Sequence, residues 1–140
     1  MRTVDAELGE LRWNEELKWW EGSVKLESAS PFKLYVFSRE SADRLISVEA
    51  RRAFRRLRSL EFASRRYAAA ELTAIHNDEW SHGRMVSEPE FARHLAPDSI
   101  EIHESGYAEF HFKADELFSG HGVGVRVQPD GGFQEAVVEG

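Results

Sequence analysis

Between residues 31 and 38 the chain alternates with a period of two. Phe32, Leu34 and Val36 fall on one face, and Lys33, Tyr35 and Phe37 on the other, which is the pattern of a strand with two different environments. The runs GELRWN and LKWWEGSVKLE upstream have the same strand-like composition. Asn14, Glu15 and Glu16 suit a short turn between them, and Ser28 to Pro31 a looser one. These forty residues predict a three-stranded antiparallel meander. From 47 to 79 the period changes. Ser47 is an apt N-cap, no glycine or proline follows, and steps of about 100° per residue put Phe54, Leu57, Leu60, Tyr67, Ala68, Leu72 and Ile75 on one stripe. One long helix lying over the sheet is expected. The run HNDEWSHGR ends it, and SEPEF starts a second, short helix. There Ser87 and Glu90 form a capping box, Pro89 sits in the first turn, Phe91 and Leu95 point inward, and Ala96–Pro97 marks the stop.

Four further strands follow: DSIEIHE, YAEFHFK, GVGVRVQ and FQEAVVE. Glu104–Ser105–Gly106 suits a three-residue hairpin loop, and Pro129–Asp130–Gly131–Gly132 a second turn. With the first loop fixed, Ile102 lies opposite Ala108 and Ile100 opposite Phe110, so both apolar sets share a face. The expected architecture is a single α+β domain over residues 1–140. Three N-terminal and four C-terminal strands form an antiparallel sheet, packed against one long and one short helix.

Composition narrows the chemistry. The chain has no cysteine, which excludes disulfides, thiolate metal sites and thiol catalysis. It shows neither a secretory leader nor a run of membrane-spanning length, and a cytoplasmic location is the expectation. The net charge of −7 is unevenly spread: seven arginines and one glutamate fall between 51 and 66, on an otherwise strongly acidic body. Arg55, Arg58, Phe62, Arg65 and Arg66 mark a basic face that could serve self-association. The acidic remainder disfavours nucleic acid and favours a basic protein partner.

On the polar side of the C-terminal hairpin the same register sets Glu101 across from Glu109, His103 across from Tyr107 and Ser99 across from His111. Like charges in that position normally destabilise a strand pair. Glu101, Glu109, His103 and His111 are therefore candidates for a surface that attracts lysine or arginine. Trp19 and Trp20 must point to opposite faces, and a tryptophan on the outer face beside Glu21 would make an interface anchor. No catalytic constellation is credible. Asp115, Ser119 and His121 lie too close in sequence for a triad and lack a nucleophile elbow. Gly120, Gly122 and Gly124 precede a strand rather than a helix, so they are no phosphate loop. No cofactor and no metal site is expected; His103, His111 and His121 with Asp115, or His76, Asp78 and His82, offer donors without a tight metal-binding spacing. Val123, Val125 and Val127 should face the core. Gly122 and Gly124 would then leave a bare strip that something must approach closely, with His121 at its mouth, hydrogen-bonded to the preceding turn.

The succession LRWNEELKWWEGSVKL, NDEW, SEPEFARHL, SIEIHESGYAEFHF and DELFSGHGVGVRV resembles an uncharacterised bacterial domain family whose members occur near polymorphic toxin and immunity genes. The most specific piece is Leu117–Phe118–x–Gly120–His121, with Ser119 standing where that family carries an aromatic residue. The resemblance implies an immunity protein that binds and neutralises a cognate toxin without catalysis. Two other readings stay open: a metal-dependent enzyme or metal-binding domain using the C-terminal histidines, and a structural homodimer.

Overall fold

The computed structural model describes residues 1–38, 45–114 and 116–140. Eight strands form one sheet in chain order: β1 (Arg2–Asp5), β2 (Gly9–Asn14), β3 (Trp19–Lys25), β4 (Pro31–Phe37), β5 (Ala96–Ile102), β6 (Ala108–Lys113), β7 (Val123–Val127) and β8 (Phe133–Val138). The α+β class stands, but the sheet is mixed rather than wholly antiparallel. β4 and β5 run parallel, pairing Leu34 with Ile100 and Val36 with Ile102. A parallel pair cannot be joined by a hairpin, and the crossover between these two strands carries all the helices of the described residues: α1 (Val48–Leu57), α2 (Glu61–Ile75), a π-helical turn at His76–Trp80, and α3 (Glu88–His94). The sheet also gains β1, which pairs with β2 from Arg2–Arg12 to Asp5–Gly9.

The expected single long helix is therefore two. No glycine or proline breaks it; the chain tightens at its end, where Ser59 N–H donates to the Arg56 carbonyl and Leu60 N–H to that of Leu57. The cause is tertiary. At the start of α2 the Glu61 carboxylate is wholly buried, accepting the Ser28 N–H at 2.9 Å and the Arg65 guanidinium at 2.6 Å. The Phe62 N–H donates to Glu27 at 3.1 Å. These contacts pin the break to the loop between β3 and β4. The Ser47 cap forms as expected, accepting from Ala50 N–H while its hydroxyl donates to the Glu104 carbonyl. The Ser87–Glu90 capping box is complete, with proline in the first turn.

The core fills the space between the helices and one face of the sheet, with Phe32, Leu34, Val36, Ile100, Ile102, Phe110, Phe112, Val123 and Val125 fully buried on the sheet side. Phe54, Leu57, Ala68 and Leu72 meet them from the helices as the stripe predicts. Leu60 and Tyr67 are only half-buried, and Ile75 departs from the stripe at 42 % exposure. Trp20 belongs to this core and Trp19 to the opposite face. No helix of the described residues is long and apolar enough to cross a membrane.

The β1–β2 turn is tied to α1 by charge. Asp5 accepts both the Glu7 and Leu8 N–H groups and receives Arg51 through two bonds of 2.7 and 3.2 Å. Arg51 holds its carboxyl well below the usual range, at about 2, against the opposing effect of burial. A depressed carboxylate stabilises the fold above its ordinary pKa and loses that contribution as pH falls through its folded value. Asp5→Asn should accordingly cost about 1–3 kcal/mol at pH 7. The difference from the parent chain, measured by urea denaturation across pH, should close between about pH 4 and pH 2.

Candidate functional site on the open face of the sheet

The face of the sheet turned away from the core cluster carries Trp19 and Glu21 from β3, Tyr35 and Phe37 from β4, Glu101 from β5, Glu109 and His111 from β6, and Arg126 from β7, all half-buried. Strand pairing places Trp19 beside Phe37 and Glu21 beside Tyr35. The rings form a continuous row. Trp19 stacks on Tyr35 at 4.6 Å and meets Phe37 edge-on at 4.9 Å; Phe37 stacks on His103 at 4.6 Å and 7°; His103 lies 5.5 Å from Tyr107. Glu21 is fixed beside this row by the Trp19 indole N–H at 2.9 Å and Asn14 at 3.0 Å. The same two donors, Asn14 first, lower its pKa.

The expected register of the C-terminal hairpin holds throughout: Ile102 opposes Ala108, Glu101 opposes Glu109, and Ser99 opposes His111. The strand pair tolerates its facing glutamates because His111 sits between them. Nε2 of His111 lies 3.3 Å from Glu109 and 3.7 Å from Glu101, while Nδ1 meets the Glu139 carboxylate at 2.8 Å. Only 14 % of the side chain is exposed. Burial alone would discharge the ring, but the interactions with Glu101 and Glu139 outweigh it and push its pKa up to about 10. Glu101 is lowered in return, chiefly by His111. Arg126 adds a second cation, paired with Glu135 and 3.6 Å from Glu109.

Glu139 is also what lies against the glycines. A Cβ on Gly124 would stand 3.2 Å from the Glu139 carboxylate carbon, and one on Gly122 would stand 2.9 Å from the Phe112 carbonyl oxygen and 3.4 Å from Glu139. The strip is bare so that a side chain from just beyond β8 can cross it to His111. His121 is exposed and bonds through Nδ1 to the Glu139 carbonyl at 2.9 Å, with its ring 5.8 Å from Trp80. The expected hydrogen bond to the preceding turn is made by the His121 backbone N–H, at the Phe118 carbonyl, while the ring turns to the last strand's exit. In the same turn Ser119 and Gly120 both have positive φ, 52° and 89°, a conformation natural for glycine and uncommon for serine. Phe118 is the turn's anchor, buried against His76, Trp80 and Phe91. Beside it opens a cleft of about 590 Å³, whose lining includes Glu101, His111, Lys113, His121 and Glu139.

The basic helix face is largely spent within the molecule. Arg55 binds Glu7 through two bonds, Arg58 lies over the Phe54 ring, and Arg65 turns inward to Glu61 and the Leu95 carbonyl. Arg65 is therefore no part of an exposed cationic surface; Arg66 and Phe62 remain exposed. His76 is buried in the core, with Nδ1 against the Asn77 side chain, while Asp78 and His82 are exposed. Asp115 lies outside the described residues. Sequence reasoning missed Glu139, whose partner His111 is 28 residues away; the paired glycines were the signal for it.

If Glu139 occupies the strip, the two glycines differ in what substitution does. Gly122→Ala, pressed on an immovable carbonyl, should cost about 1–3 kcal/mol in chemical denaturation. Gly124→Val should cost a similar amount in the parent chain but clearly less in a Glu139→Ala background, where the colliding group is gone. Equal costs in both backgrounds would contradict this placement.

Neither curated proteins nor solved structures give a match to the chain. A family model described as an uncharacterized protein conserved in bacteria, DUF2262, matches residues 5–138, from the Asp5 turn to the last residue of β8. With a match of that extent, the chain belongs to the DUF2262 family of uncharacterized conserved bacterial proteins.

Proposed function

We propose that this chain is a non-catalytic protein-binding domain whose open sheet face docks a basic protein surface, in the manner of an immunity protein that neutralises a bacterial toxin. The observation that carries the reading is the ring row from Tyr35 through Trp19 and Phe37 to His103 and Tyr107, with Glu21 and Glu101 on either side of Tyr35 and Glu109 beside Tyr107. Such a surface suits arginine. A guanidinium can stack on an aromatic face and pair with a carboxylate at its edge, and a half-buried, rigid tryptophan makes a low-entropy anchor. The negative body, at −7 overall, would speed encounter with a cationic partner such as the substrate-binding surface of a nuclease. The toxin–immunity role is the specific form that the family resemblance adds.

Co-expression with a toxin-like domain encoded beside its own gene tests the reading. Growth should be restored and a one-to-one complex should survive gel filtration. Trp19→Ala and Glu21→Arg should each weaken the purified complex by about tenfold or more, a loss typical of a central anchor. Persistent toxicity with no complex, or a complex indifferent to both substitutions, would overturn it.

A further inference from the structure

We infer that Glu101, His103, Glu109 and His111 form a binding site for one divalent transition-metal ion of the zinc type. One ligand atom each from Glu101, His103 and Glu109 lie within 4.8 Å of one another. His111 Nε2 is 3.3 Å from Glu109 and 3.7 Å from Glu101. Donors around a tetrahedral zinc ion, with bonds of about 2.0–2.1 Å, stand about 3.3 Å apart. One pair of donors, His111 Nε2 and Glu109, already has that spacing.

Two independent features point to a ligand. The Nε2 atoms of both His103 and His111 are buried; that of His103 has no hydrogen-bond partner among the described residues, and that of His111 faces only the carboxylates of Glu109 and Glu101, at 3.3 and 3.7 Å. Buried ring nitrogens without a partner are costly and call for an explanation. Each ring is also held as metal-bound imidazoles are held. His111 has its other nitrogen on the Glu139 carboxylate at 2.8 Å, the outer contact that orients histidine ligands and raises their basicity. His103 is clamped flat against Phe37. Glu139 itself reaches His111 only because Gly122 and Gly124 clear its path, so the support extends a full layer behind the donors.

The donor set selects the ion. Two imidazoles with two carboxylates suit zinc, cobalt and nickel, whereas magnesium and calcium prefer oxygen alone. Two carboxylates balance the charge of a dication, which relieves the opposition of Glu101 and Glu109 across the strand pair. The metal would sit between His111 Nε2 and the two carboxylates it faces. His121, with Nδ1 committed to the Glu139 carbonyl, is not a ligand. The inference does not rest on a protein partner, although Glu101, His103 and Glu109 also border the ring row.

The test is calorimetric titration of zinc chloride into the full chain after chelator treatment and dialysis. One saturable site with a micromolar or tighter Kd is expected, magnesium chloride should give none, and cobalt(II) should develop the intense visible absorption of a four-coordinate site. His103→Ala and Glu109→Gln should each weaken zinc binding by about a hundredfold, and exposed His82→Ala should leave it unchanged. Glu101→Gln serves as a third ligand variant should either of the first two misfold by circular dichroism. Absence of a saturable site, unchanged affinity in folded ligand variants, or loss of binding on His82→Ala would overturn the assignment.

Discussion

The outer face of this sheet depends on one buried imidazole. Glu101 and Glu109 are directly paired across β5 and β6, a placement that repels unless a cation lies between. His111 supplies it from the same face, and Glu139 holds the ring from behind. The demand spreads outward. Glu139 must cross β7, so Gly124 in that strand and Gly122 just before it carry no side chain. The chain's exit from β8 is then fixed, with Glu139 N–H donating to the Gly122 carbonyl. A glutamate pair, a histidine, two glycines and Glu139 just beyond β8 form one arrangement, none of which the hydrophobic core requires.

The two faces of the sheet obey different rules. The inner face is close-packed phenylalanine, valine, leucine and isoleucine under the helices, where volume and pattern decide stability. The outer face is half-buried and built of rings and charges that touch one another, an expensive way to finish a surface that could have been simple threonine and lysine. Partly buried polar networks reward full satisfaction and penalise gaps. The unpaired Nε2 atom of His103 is such a gap, and it lies where the ring row meets the carboxylates. The proposed protein partner and the proposed metal ion would draw on overlapping parts of that face.

Much of this was legible in the sequence because it is local. Strand-like runs between turn residues, with clear alternation at 31–38, marked seven of the strands, loop length gave the 101–109 register, and the capping box gave the start of α3. What was hidden is non-local. β1 is almost wholly exposed, so its residues show no apolar face to betray it. The break between α1 and α2 carries no glycine or proline, because it is made by Glu61 binding Ser28 from another part of the chain. For the same reason Arg65 read as surface charge and proved to be an internal counter-ion. The parallel pairing of β4 with β5 was available from topology, since a helical crossover returns a strand in the same direction. At the site, the register brought the glutamates and His111 together correctly, while Glu139 announced itself only as the missing side chains of Gly122 and Gly124.

The coupling of His111 to Glu139 is the claim on which the site rests, and a double-mutant cycle measures it directly. Urea denaturation of metal-free parent, His111→Gln, Glu139→Gln and the double variant at pH 7 should give an interaction energy of about 1–3 kcal/mol, the double variant losing less than the sum of the singles. Additivity within about 0.3–0.5 kcal/mol, the behaviour of sites that do not touch, would contradict the account.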